Sequence, residues 1–107
     1  MMKNRIALAV VSVMAISAMT VFAQSPGADT YKAKCAMCHA ADGSGATLAG
    51  KAMKTPSFSS PEMLKMSTAE MVATTKNGKG KMPAYSGKLT GAQINEVVAY
   101  IHTLQKK

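Results

Sequence analysis

The apolar positions of the chain form one unbroken block and one clean helical stripe. Ile6 to Val21 is almost continuously apolar, interrupted only by Ser12, Ser17 and Thr20. Far downstream, Ile94, Val97, Val98, Ile101 and Leu104 recur at steps of three and four. That period predicts an amphipathic helix with one buried face. Thr90-Gly91-Ala92-Gln93 has the spacing of a capping box at its start, with Leu89 and Ile94 placed to pack across it. Ser67-Thr68-Ala69-Glu70 repeats the arrangement between Met66 and Met71 and predicts a second helix, stopping at Asn77-Gly78. Ser25-Pro26 and Ser60-Pro61-Glu62 each place a capping serine before a proline at the first helical position. They predict a helix from about Pro26 through Tyr31 toward Cys35, and a short one after Ser60. Ala41 to Pro56, with Gly43, Gly45, Gly50 and Pro56, has no period and reads as loop, as does Gly78 to Pro83. No segment alternates as a strand does. The expected fold is all-α, about four helices in one domain.

The apolar block has a different meaning. Lys3 and Arg5 precede it, Val21-Phe22-Ala23 closes it with small residues, and Gln24-Ser25-Pro26 follows. This is the three-part layout of a secretory signal peptide cleaved after Ala23. The competing reading, an uncleaved membrane anchor, meets an apolar run shorter than the roughly 20 residues a spanning helix needs. The expected division is a signal peptide over residues 1–23 and a domain over 24–107, exported by a Sec-type route to the periplasm.

Composition narrows the picture. The chain has 107 residues, 13 Lys and Arg against 5 Asp and Glu, three Tyr, two Phe and no Trp. Loss of residues 1–23 removes Lys3 and Arg5 and no acid, so the exported part stays strongly basic. Few stacking aromatics and an exported destination argue against nucleic acid as a partner. A domain this short builds a marginal core and calls for a staple. The two cysteines stand three positions apart, and so short a loop has little entropy to remove by a disulfide. The staple is then expected to be a cofactor.

Cys35-Ala36-Met37-Cys38-His39 has the spacing of a c-type haem attachment site. On a helical turn, residues i, i+3 and i+4 share a face. Two thiols can then reach two vinyl groups on one porphyrin edge, leaving the imidazole directed at the iron. Other uses of Cys-x-x-Cys fit less well. A dithiol redox motif belongs in a βαβ context that is missing here. Zinc wants four ligands, and His102 is the only other histidine.

With Cys35-Ala-Met-Cys-His39 early, Lys81-Met82-Pro83-Ala84-Tyr85 late and Val97-Val98-Ala99-Tyr100-Ile101 in the last helix, the chain resembles the short bacterial class I cytochromes c from about Ser25 to Leu104. The resemblance implies a fold wrapped round one covalent haem c, with His39 as proximal and Met82 as distal iron ligand. It also matches Gly27 and Tyr31 to a contact of the first helix with the last, where Tyr100 packs. Met82 has chemistry in its favour, since a thioether is a soft ligand that raises the iron potential. Met37, Met53, Met63, Met66 and Met71 are the other methionines of the exported part, and His102 is an alternative sixth ligand. In one place the chain departs from the family. Lys51-Ala52-Met53 stands where many members have a Gly-Pro-Leu-like segment whose proline carbonyl bonds the haem histidine, and Pro56 is the substitute on offer.

The function this implies is single-electron transfer by a monomeric carrier that is not an enzyme and takes no small-molecule substrate. Lys76, Lys79, Lys81 and Lys88 around the Met82 loop would steer it to an acidic or membrane-bound reductase or oxidase. The alternatives are a haem c subunit of a larger dehydrogenase or oxidase, and a gas-binding haem sensor.

Overall fold

The computed structural model describes residues 25–105, so the expected signal peptide and the terminal lysines Lys106 and Lys107 lie outside the described residues. Six helical segments follow one another: α1 Pro26–Lys34, α2 Ala36–His39, α3 Leu48–Ala52, α4 Pro61–Leu64, α5 Thr68–Asn77 and α6 Gly91–Leu104. Among the described residues there is no strand, only an isolated antiparallel bridge between Lys79 and Met82. The four expected helices are α1, α4, α5 and α6. The additions, α2 and α3, are single turns. Among these residues no helix is long and apolar enough to cross a membrane.

Local chemistry starts each long helix where the sequence places it. Ser25 accepts from Ala28 N–H, with Pro26 filling the first helical position that needs no donor. At Ser67–Glu70 and Thr90–Gln93 both halves of the capping box form, satisfying two otherwise orphaned donors at each start. Gly78, at φ 78°, ends α5, its N–H returning to the Thr74 carbonyl. The segment expected as loop over Ala41–Pro56 contains α3, capped by the Thr47 hydroxyl on Gly50 N–H. That hydroxyl also donates to the Met37 carbonyl at 2.6 Å, so α3 forms as it docks on α2.

The core is the inner stripe of α6 against α1 and α5. Ile94, Val97, Val98 and Ile101 are buried, and Tyr31, Phe58 and Met71 close over them. Apolar area removed from water, at roughly 25 cal/mol per Å², is the main stabilising contribution of such a stripe. Leu89 and Ile94, the residues expected to pack across the α6 start, are both buried. α1 crosses α6 at Gly27, where a Cβ would meet the Glu96 carbonyl and lie 3.2 Å from Tyr100 Cβ. Tyr31 and Tyr100 rings sit 5.3 Å apart in a tilted pair, so the contact of first and last helix implied by the resemblance is present.

Candidate functional site

The end of α1 and the turn of α2 carry the Cys35–His39 motif. Cys35 N–H donates to the Tyr31 carbonyl at 2.8 Å, and His39 N–H to the Cys35 carbonyl at 2.9 Å. Cys35, Cys38 and His39 therefore share one helical turn, as their spacing requires. Both cysteines are free thiols. Burial pushes the Cys35 thiol up to about 11. Burial likewise lowers the His39 pKa, which favours the neutral imidazole that a metal binds.

The chain leaves the turn by a conformation unusual for alanine. Ala40 has φ 71° and ψ 156°, a region that costs an L residue on the order of 1–3 kcal/mol. Its carbonyl accepts from the Tyr31 hydroxyl at 2.7 Å and from Gly43 N–H at 3.1 Å. The His39 carbonyl accepts from Gly45 N–H at 2.8 Å. The backbone on the exit side of the histidine is thus pinned by three bonds.

The imidazole itself is held differently. His39 Nδ1 is the one buried side-chain nitrogen or oxygen without a hydrogen-bond partner among the described residues. The ring is stacked on Phe58, centroids 4.6 Å apart and planes 15° from parallel. Pro56 does not take up the role expected of it. Its carbonyl faces Gly45, 3.4 Å from where a Cβ on that glycine would stand.

The Met82 loop is brought to the same end of the molecule. Tyr85 N–H donates to the Thr75 carbonyl at 3.0 Å and Ser86 N–H to the Lys76 carbonyl at 3.2 Å, laying the loop along α5. Gly78 packs so tightly under it that a Cβ would lie 2.7 Å from the Met82 carbonyl oxygen. The Tyr85 hydroxyl donates to the Lys34 carbonyl at 3.2 Å, one residue before Cys35. Burial, then the nearby charges of Cys35 and Cys38, raise the Tyr85 pKa. Met82 is half-buried in this loop, whereas Lys76, Lys79, Lys81 and Lys88 are exposed around it. A groove of about 510 Å³ lies chiefly between α4 and α5, lined by Glu62, Met63, Met66, Glu70 and Thr74, with Pro56 and Lys79 among its other residues.

The donor set fits haem c. Two thiols and an imidazole share one turn, and burial lowers the proton affinity of the imidazole, as a metal ligand requires. A soft thioether loop is tied by Tyr85 to the start of the motif. The other histidine is placed elsewhere: His102 Nε2 lies 2.9 Å from the Thr68 hydroxyl and Nδ1 3.0 Å from Gln105 Oε1. Both its nitrogens are engaged at the far end of α6. Met71 is core, and Met37 and Met53 are exposed. Three contributors went unmarked in the sequence: Phe58, Thr47 and the Tyr85 hydroxyl. Their contacts at the motif span 9 to 51 residues, and no local pattern in the sequence signals them.

Comparison with known proteins agrees. A family model described as cytochrome C oxidase, cbb3-type, subunit III matches residues 22–101. Cytochrome c6 of a Synechococcus species is 37% identical over 76 residues, covering 70% of this chain and 64% of that protein. Cytochrome c6 of a Nostoc species is 40% identical, covering 70% and 65%. The chain therefore spans just under two thirds of the length of these two relatives. Cytochrome c6 of Leptolyngbya boryana is 36% identical, covering 70% and 85%. Among solved structures, cytochrome c6 from the diatom Phaeodactylum tricornutum superposes with a TM-score of 0.57 at 26% identity, covering 73% of this chain and 88% of that one. A c-type cytochrome superposes with a TM-score of 0.69 at 24% identity, covering 75% and 98%, a likeness of fold. With the motif turn, the methionine loop and the α1–α6 crossing in place, the chain belongs to the class I, single-haem cytochrome c family.

Proposed function

We propose that the protein is an exported carrier of single electrons, with haem c bound through thioethers to Cys35 and Cys38 and ligated by His39 and Met82. The observation that carries the reading is the single helical turn that holds two free thiols and the half-buried imidazole of His39. Bound haem supplies an iron that alternates between ferrous and ferric states. The chain's own residues determine how it is used. Cys35 and Cys38 would hold the porphyrin covalently, and the Tyr31–Ala40 and Gly45–His39 bonds hold the backbone that presents the imidazole. The Met82 loop, anchored along α5, would offer bound haem a soft thioether that favours the reduced state. With His39 and Met82 both held as ligands, bound haem would have no protein-open site for substrate or gas.

The exposed lysines around the Met82 loop support electrostatic steering to an acidic redox partner. The three-part N-terminal segment supports export to the periplasm. Absorption spectra of the exported protein in both redox states test the proposal. Expected is a low-spin c-type spectrum, unchanged by carbon monoxide, from haem that stays with the polypeptide on denaturation. A high-spin spectrum altered by carbon monoxide, or haem lost on denaturation, overturns it.

A further inference from the structure

In haem sites the plane of a ligating imidazole is ordinarily set by a hydrogen bond from its second nitrogen. In this chain that nitrogen, His39 Nδ1, has no partner. The stack on Phe58 is the contact that defines the ring plane. Whatever holds Phe58 therefore holds the ligand.

Phe58 is held through both its backbone groups and by the packing beside its ring. Its N–H donates to the Gly43 carbonyl at 2.9 Å. A Cβ on Gly43 would lie 3.0 Å from Phe58 Cδ2 and 3.3 Å from Leu104 Cβ, so the ring is wedged where that glycine leaves room. The Phe58 carbonyl accepts from Gln105 Nε2 at 3.0 Å, across 47 residues of sequence, and the same nitrogen approaches the Met63 carbonyl at 3.4 Å. Two carbonyls can only accept, which fixes the Gln105 amide with its nitrogen toward them. Its Oε1 is then an acceptor facing His102 Nδ1 at 3.0 Å, so Nδ1 carries the proton. Nε2 in turn accepts from the Thr68 hydroxyl at 2.9 Å. The result is one directed chain of bonds, from Thr68 through His102 and Gln105 to the Phe58 carbonyl, and by ring stacking to His39.

We propose that Gln105 and His102, at the C-terminal end of α6, are positioning residues for the haem ligand His39, acting through Phe58. The proposal rests on His39 being the iron ligand. Neither residue touches the motif. Their part is to keep Phe58 from sliding along the imidazole face, and thus to fix the orientation of the His39 ring.

The test is paramagnetic proton NMR of the ferric, haem-loaded protein, which reads the orientation of an axial histidine from its shifted ring protons and the order of the haem methyl resonances. Gln105→Ala and Gln105→Glu both remove the donor to Phe58, and the second keeps an acceptor for His102. Both are expected to displace the His39 ring resonances and reorder the methyls, while the near-infrared band of methionine ligation persists. His102→Ala should move the same resonances by less. Thr103→Ala removes only the hydroxyl bond to the Tyr100 carbonyl at the same end of α6 and should leave them in place. Wild-type resonances retained in both Gln105 variants overturn the proposal, as does an equal shift in Thr103→Ala, which would mark a general loosening of α6. Absence of shifted His39 resonances from the wild type overturns instead the assignment of His39 as ligand.

Discussion

The crossing of α1 over α6 turns on a missing side chain. A Cβ on Gly27 would meet the Glu96 carbonyl oxygen, lie 2.8 Å from its carbon and 3.2 Å from Tyr100 Cβ. The first two are backbone atoms of a continuous helix and cannot rotate aside, so Gly27→Ala must push the helices apart. Overpacking of this kind costs about 1–3 kcal/mol, and the rigid obstacle places it near the upper end. Alanine recovers up to about 1 kcal/mol of helix propensity. The net loss is about 2 kcal/mol, which for a domain of this size lowers Tm by roughly 8–16 °C. Gly91 is the control: it begins α6, and a Cβ there meets nothing within 4 Å. Gly91→Ala should raise Tm by a few degrees through backbone entropy alone. Thermal unfolding of the haem-loaded proteins by far-ultraviolet circular dichroism reads both. A Gly27→Ala protein as stable as wild type would refute the reasoning.

Tyr31→Phe removes the 2.7 Å bond to the Ala40 carbonyl, which keeps its bond from Gly43 N–H, so urea unfolding should show a loss of only about 1 kcal/mol. Burial, and then the neighbouring Cys35, Tyr100 and Asp42, raise the Tyr31 pKa above its unfolded value of about 10. Its stabilisation is therefore complete below about pH 10 and lost as pH rises beyond it, a decline that Tyr31→Phe should lessen in alkaline unfolding curves. Thr90→Ala breaks the capping box of α6 and should cost about 1 kcal/mol, seen as a Tm lowered by roughly 4–8 °C. If the exposed lysines steer docking, the rate of electron transfer to an acidic partner falls as salt rises, and Lys79→Glu with Lys81→Glu flattens that dependence in stopped-flow traces; identical slopes would remove the steering role.

What could be read in the sequence was local. Ser67–Glu70 and Thr90–Gln93 announce helices because a capping box is closed within four residues. The α6 stripe is legible because one face of one helix supplies much of the core. The Cys35–His39 turn follows from i, i+3, i+4 geometry. α3 was not legible. It is five residues long, contains Gly50, and is held by a Thr47 bond to Met37 ten positions away. The surroundings of His39 escaped for the same reason. Its ring meets Phe58, nineteen positions on, and Phe58 is held by Gln105 at the far end of α6. Pro56 is the substitute partner that the sequence offers the imidazole, but its carbonyl lies against Gly45 and His39 Nδ1 has no partner.

The most direct test of the account is the near-infrared absorption of the ferric protein, where a thioether bound to low-spin iron gives a weak charge-transfer band. The account predicts this band in the wild type, its loss in Met82→Ala, and its retention in Met53→Ala, Met63→Ala and Met66→Ala. A band that survives Met82→Ala and disappears with another of these methionines would contradict it.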